Sequence, residues 1–467
     1  MKKNSATEIE SLYKLLGLGT MGIIVAGIGA VWLGRYGIKR TINNITKILM
    51  AEPYDRNLME FFSATKRVGF QNIVENSMRA EEGKLIKRPL GSPRKFLHFD
   101  ELMFNIAQLD QLPTEKNINI DTTVMVGPKA AKPLVIDIPI IVDGMAFGTA
   151  LSEKTKVAIA KGTAMAGTAT NTGEAGMLLS ERKAAKYLIL QYPRGNWAKD
   201  KKTLKMADMI EIQIGQGALA GTSHSVKSKD LDKKSRQVMG LKKNEDATIN
   251  AILPEIKNGS TLKSVVDAIK EVTGGIPVGC KIGAGKYLEK DIEVAINAGV
   301  DFINVNGAQS GTNGGPPILQ DDFGLPTLYA LSRAAQLIEK SGLKGQVSLL
   351  ISGGLNTPGD YLKALALGAS AICIGTSALF AVSHNQVFQA MPFEPPTQVV
   401  WNTGVFKKQL SINKGAKSLF KFLISCTLEM EEGVRALGKT AIKEIDKKDL
   451  IALTKETSEI TGVELAY

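Results

Sequence analysis

From residue 134 onward the chain alternates short, continuous apolar runs with longer stretches of helical periodicity, and this rhythm restricts the fold more than any other feature. The runs are Leu134–Val142, Thr168–Asn171, Tyr187–Gln191, Met209–Ile214, Ile276–Ile282, Asp301–Val305, Val347–Ile351 and Ala371–Ile374. A strand that is apolar along its whole length is buried on both faces, as in a parallel sheet covered by helices. Helical patterns between the runs cover Glu153–Met165, Asp246–Val272, Leu288–Ala298, Leu325–Ser341 and Pro358–Leu367. Eight strand-then-helix units over roughly 270 residues match the size of a (β/α)8 TIM barrel, so the expected class is α/β. A doubly wound sheet is the rival and usually has fewer strands.

The other end of the chain reads differently. Leu15–Leu33 is a run without a charged residue, long enough to cross a bilayer as a helix at about 1.5 Å per residue. Lys14 bounds one side and Arg35, Lys39 and Arg40 the other, with Trp32 and Tyr36 where an interfacial belt belongs. An N-terminal transmembrane helix is therefore expected, single-pass, with everything after residue 35 cytoplasmic. The alternatives are a signal peptide, for which an A-x-A-like cleavage site is missing, and a buried core helix. Gly22, Ala26 and Ala30 recur every four residues, a face on which helices can pair into a homo-oligomer, although chance in a Gly/Ala-rich span gives the same spacing. The resulting division is 1–40 anchor, 41–115 helical and linker region, 116–440 barrel and 441–467 tail.

Composition excludes several classes. The 467 residues are 44% hydrophobic and 22% charged, as in a protein with a real core. The net charge of +12 is spread along the chain rather than concentrated into a footprint, which argues against a nucleic-acid partner. Cys280, Cys373 and Cys426 lie far apart with no CxxC, and His98, His224 and His384 are equally scattered, so no metal site is expected.

In a barrel of this kind chemistry sits where strands end. The seventh run ends in Ser352-Gly353-Gly354-Leu355 and the eighth in Gly375-Thr376-Ser377-Ala378. Glycine lets backbone N–H groups approach a phosphate, and a following helix N-terminus adds positive potential. The bland reading is a tight turn, but two such loops after adjacent strands favour phosphate. The sixth run is followed by Asn306 to Pro316, a Gly/Asn/Ser/Thr-rich loop containing Gly314 and Gly315 that suits a flat polar ligand. Lys281 follows directly on a buried run. An unpaired buried ammonium is costly, so it needs a carboxylate or an anionic ligand. Glu174 is either a site carboxylate or a helix N-terminal acid. Gly215-x-Gly217-x-x-Ala220 mimics a dinucleotide fingerprint without the βαβ unit that would support it.

In order along the chain, several segments resemble the FMN domain of glutamate synthase. Gly144-Met145-Ala146-Phe147-Gly148-Thr149-Ala150-Leu151-Ser152 is similar to its G-M-S-F-G-A-L-S, and Asn171-Thr172-Gly173-Glu174-Ala175-Gly176 to its N-T-G-E-G-G. Gly215-Gln216-Gly217-Ala218 resembles A-Q-G-A, Lys281 falls on the V-K-L lysine, and the loops at Gly353-Gly354 and Gly375-Thr376 match its last two phosphate loops. The resemblance covers about residues 95–440. It implies FMN as cofactor, with the phosphate on Gly353, Gly354, Gly375 and Thr376, the ring near Met145, Ala146 and Gln216, Gly314 and Gly315 in the wrapping loop, Lys281 facing the flavin, and Lys281 and Glu174 in the chemistry. It further implies reduction of an imine or keto acid, 2-oxoglutarate with ammonia giving L-glutamate.

The departures are specific. The three-cysteine cluster motif has become Ser383 to Gln398, in which only the terminal Thr397-Gln398 survives, so the electron donor is unknown. A glutamine-hydrolysing domain is not expected at the N-terminal end. Lys281 is followed by Ile-Gly-Ala-Gly-Lys-Tyr, Ala146 replaces a serine, and Gln213 replaces the lysine before A-Q-G-A. Two other readings compete: a 2-hydroxy-acid-oxidising flavoenzyme, which needs a histidine and an arginine that Asn306–Pro316 lacks, and a flavin-binding membrane sensor or scaffold without turnover.

Overall fold

A computed structural model describes residues 32–57, 59–388 and 395–467. Contacts divide the chain into two compact units, Met1–Ile86 and Lys87–Tyr467. In the first unit residues 32–51 are helical, followed by helices Met59–Val68 and Phe70–Glu82. The expected membrane span, Leu15–Leu33, falls almost entirely outside the described residues. Among those described, no helix is long and apolar enough to cross a membrane.

The second unit is built on a closed barrel of eight parallel strands. They are β1 (Ile140–Val142), β2 (Ala169–Asn171), β3 (Tyr187–Tyr192), β4 (Met209–Gln213), β5 (Val278–Gly283), β6 (Phe302–Asn306), β7 (Ser348–Ser352) and β8 (Ala371–Ile374). The helices that follow them are α1 (Glu153–Met165), α2 (Leu179–Ala184), α3 (Lys201–Leu204), α4 (Leu262–Thr273), α5 (Leu288–Asn297), α6 (Thr327–Lys340), α7 (Pro358–Ala366) and α8 (Thr376–Ser383). Local chemistry starts them where they start. The Ser152 side chain accepts from Thr155 N–H at the head of α1, and Thr357 with Asp360 forms a capping box around Pro358 at the head of α7.

Two sequence expectations need correction. Leu134–Val142 is two strands, because Pro139 cannot donate to a ladder. Leu134–Ile136 pairs antiparallel with Val124–Val126, and only Ile140–Val142 joins the barrel. Asp246–Val272 is not one helix. Ala247–Ile249 pairs with His224–Val226, Pro254–Lys257 is a single turn, and α4 begins only after the Thr261 cap. Within the C-terminal tail 441–467, Leu450–Ala452 pairs antiparallel with Leu102–Phe104. The segment 87–115 falls in the same compact unit as the barrel.

Inward-facing residues on a barrel strand alternate with period two. The lower inward layer is apolar: Ile141, Ala169, Ile189, Met209, Phe302, Leu350 and Ala371 pack with Val126, Leu134 and Ile136 of the hairpin, which seals the end where strands begin. Gly279 makes room for the Phe302 ring, because a Cβ there would lie 2.5 Å from it. Two residues further along, the same phase turns polar: Asp143 just past β1, then Asn171, Gln191, Glu211, Lys281, Asn304, Ser352 and Cys373. That switch positions the site.

Candidate active site

Glu211 is the hub of the polar layer and is almost wholly buried. Its Oε1 accepts from Asn171 Nδ2 at 2.8 Å and from Gln191 Nε2 at 2.8 Å, and its Oε2 from Asn304 Nδ2 at 2.7 Å. A buried carboxylate with this many donors is compensated for the water it has lost. Lys281 Nζ donates to Asp143 Oδ1 at 2.6 Å, with the lysine side chain only 4% exposed. Burial pulls the Lys281 ammonium down, but the charges of Asp143 and Glu211 outweigh it and hold the group above the ordinary lysine range. The partner demanded by the sequence is thus a carboxylate, and Lys281 does not stand as a lone cation. Burial beside Asp143 and Glu211 also pushes the Cys373 thiol well up, which makes it an unreactive wall residue.

Above this layer lies a cavity of about 570 Å3, lined by the C-terminal ends of the strands and their loops. The structure brings Met145, Ala146, Glu174, Gln216, Lys281, Gly353, Gly354, Gly375 and Thr376 together on its walls. It does not bring Gly314 and Gly315 there. Gly315 exchanges backbone hydrogen bonds with Arg88 at 2.9 and 3.1 Å, and Gly314 lies beside the Lys87 side chain. These glycines serve the docking of a strap, not the lining.

That strap, residues 87–98, was not visible as a site element in the sequence. Leu90, Ser92, Arg94, Lys95, Phe96 and His98 line one side of the cavity. Asp321 ties the strap down, accepting from Arg88 Nη2 and Ser92 Oγ at 2.5 Å each, while Arg94 pairs with Asp322 at 2.8 Å. His98 Nε2 meets the Gly354 carbonyl at 3.0 Å, and burial holds its imidazole below the usual range. The cavity's histidine and arginine are thus strap residues committed to a backbone carbonyl and a carboxylate. Thr397 and Gln398 line a smaller adjoining cavity of about 210 Å3 that shares Thr149 and Trp401 with the first.

The opposite wall carries Glu174. Its Oε2 accepts from Gln213 Nε2 at 2.6 Å, and its Oε1 faces His224 Nε2 at 2.8 Å. Burial raises the Glu174 carboxyl, but His224, Gln213 and Arg194 more than reverse this and hold it below the usual carboxylate range. Glu174 is therefore a wall carboxylate rather than a helix N-terminal acid. Asp143, Gln191, Glu211 and His224 are the functional neighbours that sequence reading missed. For the first three the available signal was a polar residue in inward phase at the top of an apolar strand.

Comparison with known proteins agrees with this architecture. The conserved region in glutamate synthase matches residues 72–440. The chain belongs to the glutamate synthase family. It is 31% identical over 413 residues to a glutamate synthase large subunit-like protein of Rhizobium meliloti (strain 1021), covering 84% of this chain and 93% of that one. It is 27% identical over 410 residues to an archaeal-type glutamate synthase (NADPH) of Dehalococcoides mccartyi, covering 83% and 82%. Membership makes this chain a glutamate synthase-like oxidoreductase, and the cofactor it carries is FMN.

The cavity fits that group. Among the described residues, no acceptor meets the backbone N–H groups of Gly353, Gly354, Gly375 and Thr376. Gly353 and Gly354 adopt φ of +123° and +67°, which a side chain would strain, while a Cβ on Gly375 would project into open space. Unpaired amides at the head of α8 are a ready anion site. The buried Thr149 hydroxyl, also on the wall, has no partner among the described residues.

Proposed function

We propose that this glutamate synthase-like protein is an FMN-dependent reductase of an imine or keto acid, in the first instance 2-oxoglutarate with ammonia giving L-glutamate. The observation that carries this reading is one cavity with unpartnered backbone amides at its β7/β8 end and a carboxylate–ammonium layer beneath it. Bound there, FMN supplies a hydride to an electron-poor carbon. Gly353, Gly354, Gly375 and Thr376 hold the phosphate, and Met145, Ala146 and Gln216 flank the ring. Lys281, with its charge already partly balanced by Asp143 and Glu211, orients the polar edge of the cofactor rather than contributing a full positive charge. Glu174 presents a carboxylate at the wall for proton transfer to the substrate heteroatom. The strap excludes water from one side.

The archaeal-type relative is named for NADPH, so NADPH is the first electron donor to try. The charge-free run Leu15–Leu33 supports attachment to a membrane, which fractionation of cells expressing the chain tests directly. For the activity, the purified protein is denatured and the released chromophore identified by absorbance and mass. The reduced protein is then mixed anaerobically with 2-oxoglutarate and ammonium. Release of FMN and reoxidation with formation of L-glutamate are expected. A colourless protein that takes up no FMN would refute the proposal.

A further inference from the structure

Behind the Glu174 carboxylate stands a titratable group that faces away from the cavity. The loop carrying Glu174 is held firmly. Lys156 Nζ donates to the carbonyls of Asn171 and Thr172 at 2.8 and 3.3 Å, and Asn171 Oδ1 accepts from Gly173 N–H at 2.9 Å. Trp197 Nε1 donates to the Glu174 carbonyl at 2.7 Å. Gly173 packs so tightly on the Met145–Ala146 backbone that a Cβ would lie 2.4 Å from Ala146 N. The carboxylate therefore has little freedom to seek other partners.

Its two neighbours differ in kind. Gln213 offers an amide, oriented by its Oε1 accepting from Arg194 N–H at 3.4 Å, and an amide cannot deliver a proton. His224 can. It stands on the hairpin strand His224–Val226 inserted after β4, its side chain is 23% exposed, and it is absent from the cavity lining while Glu174 is part of it. The charged groups that act on the imidazole are Glu174, which favours its cation, and Arg194, which opposes it. Arg194 is committed to the carbonyls of Gly221, Ala251 and Thr222. Glu174 thus lies between Nε2 of the imidazole and the cavity, the second ring nitrogen, Nδ1, is buried, and solvent meets the remainder of the partly exposed ring.

We propose that His224 is the positioning residue that supplies protons to Glu174 for the reduction at this cavity, an inference that rests on the reading given under Proposed function. Reduction of a C=N or C=O bond adds a hydride equivalent at carbon, brought by the reduced cofactor, and one proton at nitrogen or oxygen. That proton leaves Nε2 of His224 for Glu174 and passes from the Glu174 carboxyl to the substrate heteroatom. Glu174 returns to the carboxylate, the buried Nδ1 of the imidazole keeps its own proton throughout, and Nε2 takes up a fresh proton from solvent, which reaches the partly exposed ring. Charge and atoms balance, and no further reactant is needed.

The chain has three histidines, so selective 15N-histidine labelling of the full-length protein gives a readout independent of turnover. His224→Asn assigns the signal by its loss. In the parent, this imidazole is expected to hold its proton to higher pH than that of His98, and Glu174→Gln is expected to lower its proton affinity at least tenfold. In turnover, reoxidation of the reduced protein by 2-oxoglutarate with ammonium is expected to slow at least tenfold in His224→Ala. The change in rate with pH near neutrality should disappear, FMN content and photoreduction should be unchanged, and added imidazole should restore the rate severalfold. Unchanged His224 proton affinity in Glu174→Gln overturns the proposal, as does a pH profile in His224→Ala that superimposes on the parent. If no imine or keto acid reoxidises the parent, the functional reading fails, and the titration still decides whether the two residues form a proton pair.

Discussion

Replacing Lys281 by methionine keeps most of the side-chain volume and removes the charge. The pair it breaks is deep: the two side chains are 4% and 14% exposed, and the contact is 2.6 Å. Removing one member of a buried ion pair costs about 3–5 kcal/mol, because the remaining charge is left uncompensated. Here the remaining charges are two, since Asp143 and Glu211 both act on Lys281, which places the cost toward the upper end. The barrel unit Lys87–Tyr467 has about 380 residues. At about 2 cal/mol/K per residue its unfolding entropy is about 0.8 kcal/mol/K, so the expected drop in melting temperature is about 4–6 °C. Scanning calorimetry of the flavin-free protein at neutral pH measures it. Because the cost is electrostatic rather than steric, Asp143→Asn added to Lys281→Met should recover about half or more of the loss. A single variant that melts within about 1 °C of the parent, or a double variant that melts lower still, would show that the polar layer is not held by this charge balance.

Three further outcomes follow from the same geometry. Gly375→Val places its side chain in open space and keeps an ordinary φ of −118°. It should leave melting within about 2 °C of the parent while weakening FMN binding at least tenfold, about 1.4 kcal/mol, by fluorescence titration; undiminished affinity would remove the phosphate from this loop. Asp321→Ala cuts the ties to Arg88 and Ser92. It should speed amide exchange in the strap at 87–98 by at least tenfold with little change in β5 to β8, as followed by mass spectrometry. The third outcome concerns pH. Glu174 is held below its ordinary 4.5 and His224 above its ordinary 6.5. The glutamate contribution is present above pH 4.5 and is lost as pH falls through the folded value. The histidine contribution is present below pH 6.5 and is lost as pH rises through the folded value. The pair therefore stabilises most between about pH 4.5 and 6.5, and a melting-temperature profile of Glu174→Gln/His224→Asn should be flatter than the parent's at both edges of that window.

Much of the barrel could be read directly. Seven of the eight runs lie within two residues of a strand bound, because a strand buried on both faces is mostly apolar and leaves a compact signature. The exception, Leu134–Val142, failed where hydropathy carries no information about partners: a plug strand and a barrel strand look alike until pairing is known. The loops at Gly353-Gly354 and Gly375-Thr376, singled out by their glycines, lie on the cavity wall, and close backbone approach is what demands glycine locally. Gly314 and Gly315 carried the same local signal and belong to strap docking instead, since a glycine reports close approach without saying what approaches.

The polar layer was harder. Glu211 sits within Met-Ile-Glu-Ile-Gln, and nothing in that run says that Asn171, Gln191 and Asn304 will converge on it. His224 lay in a stretch with no motif, 50 residues from the carboxylate it meets. Periodicity, local glycine chemistry and ordered motifs are properties of neighbouring residues along the chain, and so the barrel strands, the glycine-rich loops at their ends and the family were available from the sequence by itself. Which charges face one another depends on barrel closure and on where a long insertion folds back. The pairing of Lys281 with Asp143, the seating of the strap and the placing of His224 behind Glu174 were therefore decided only by tertiary structure.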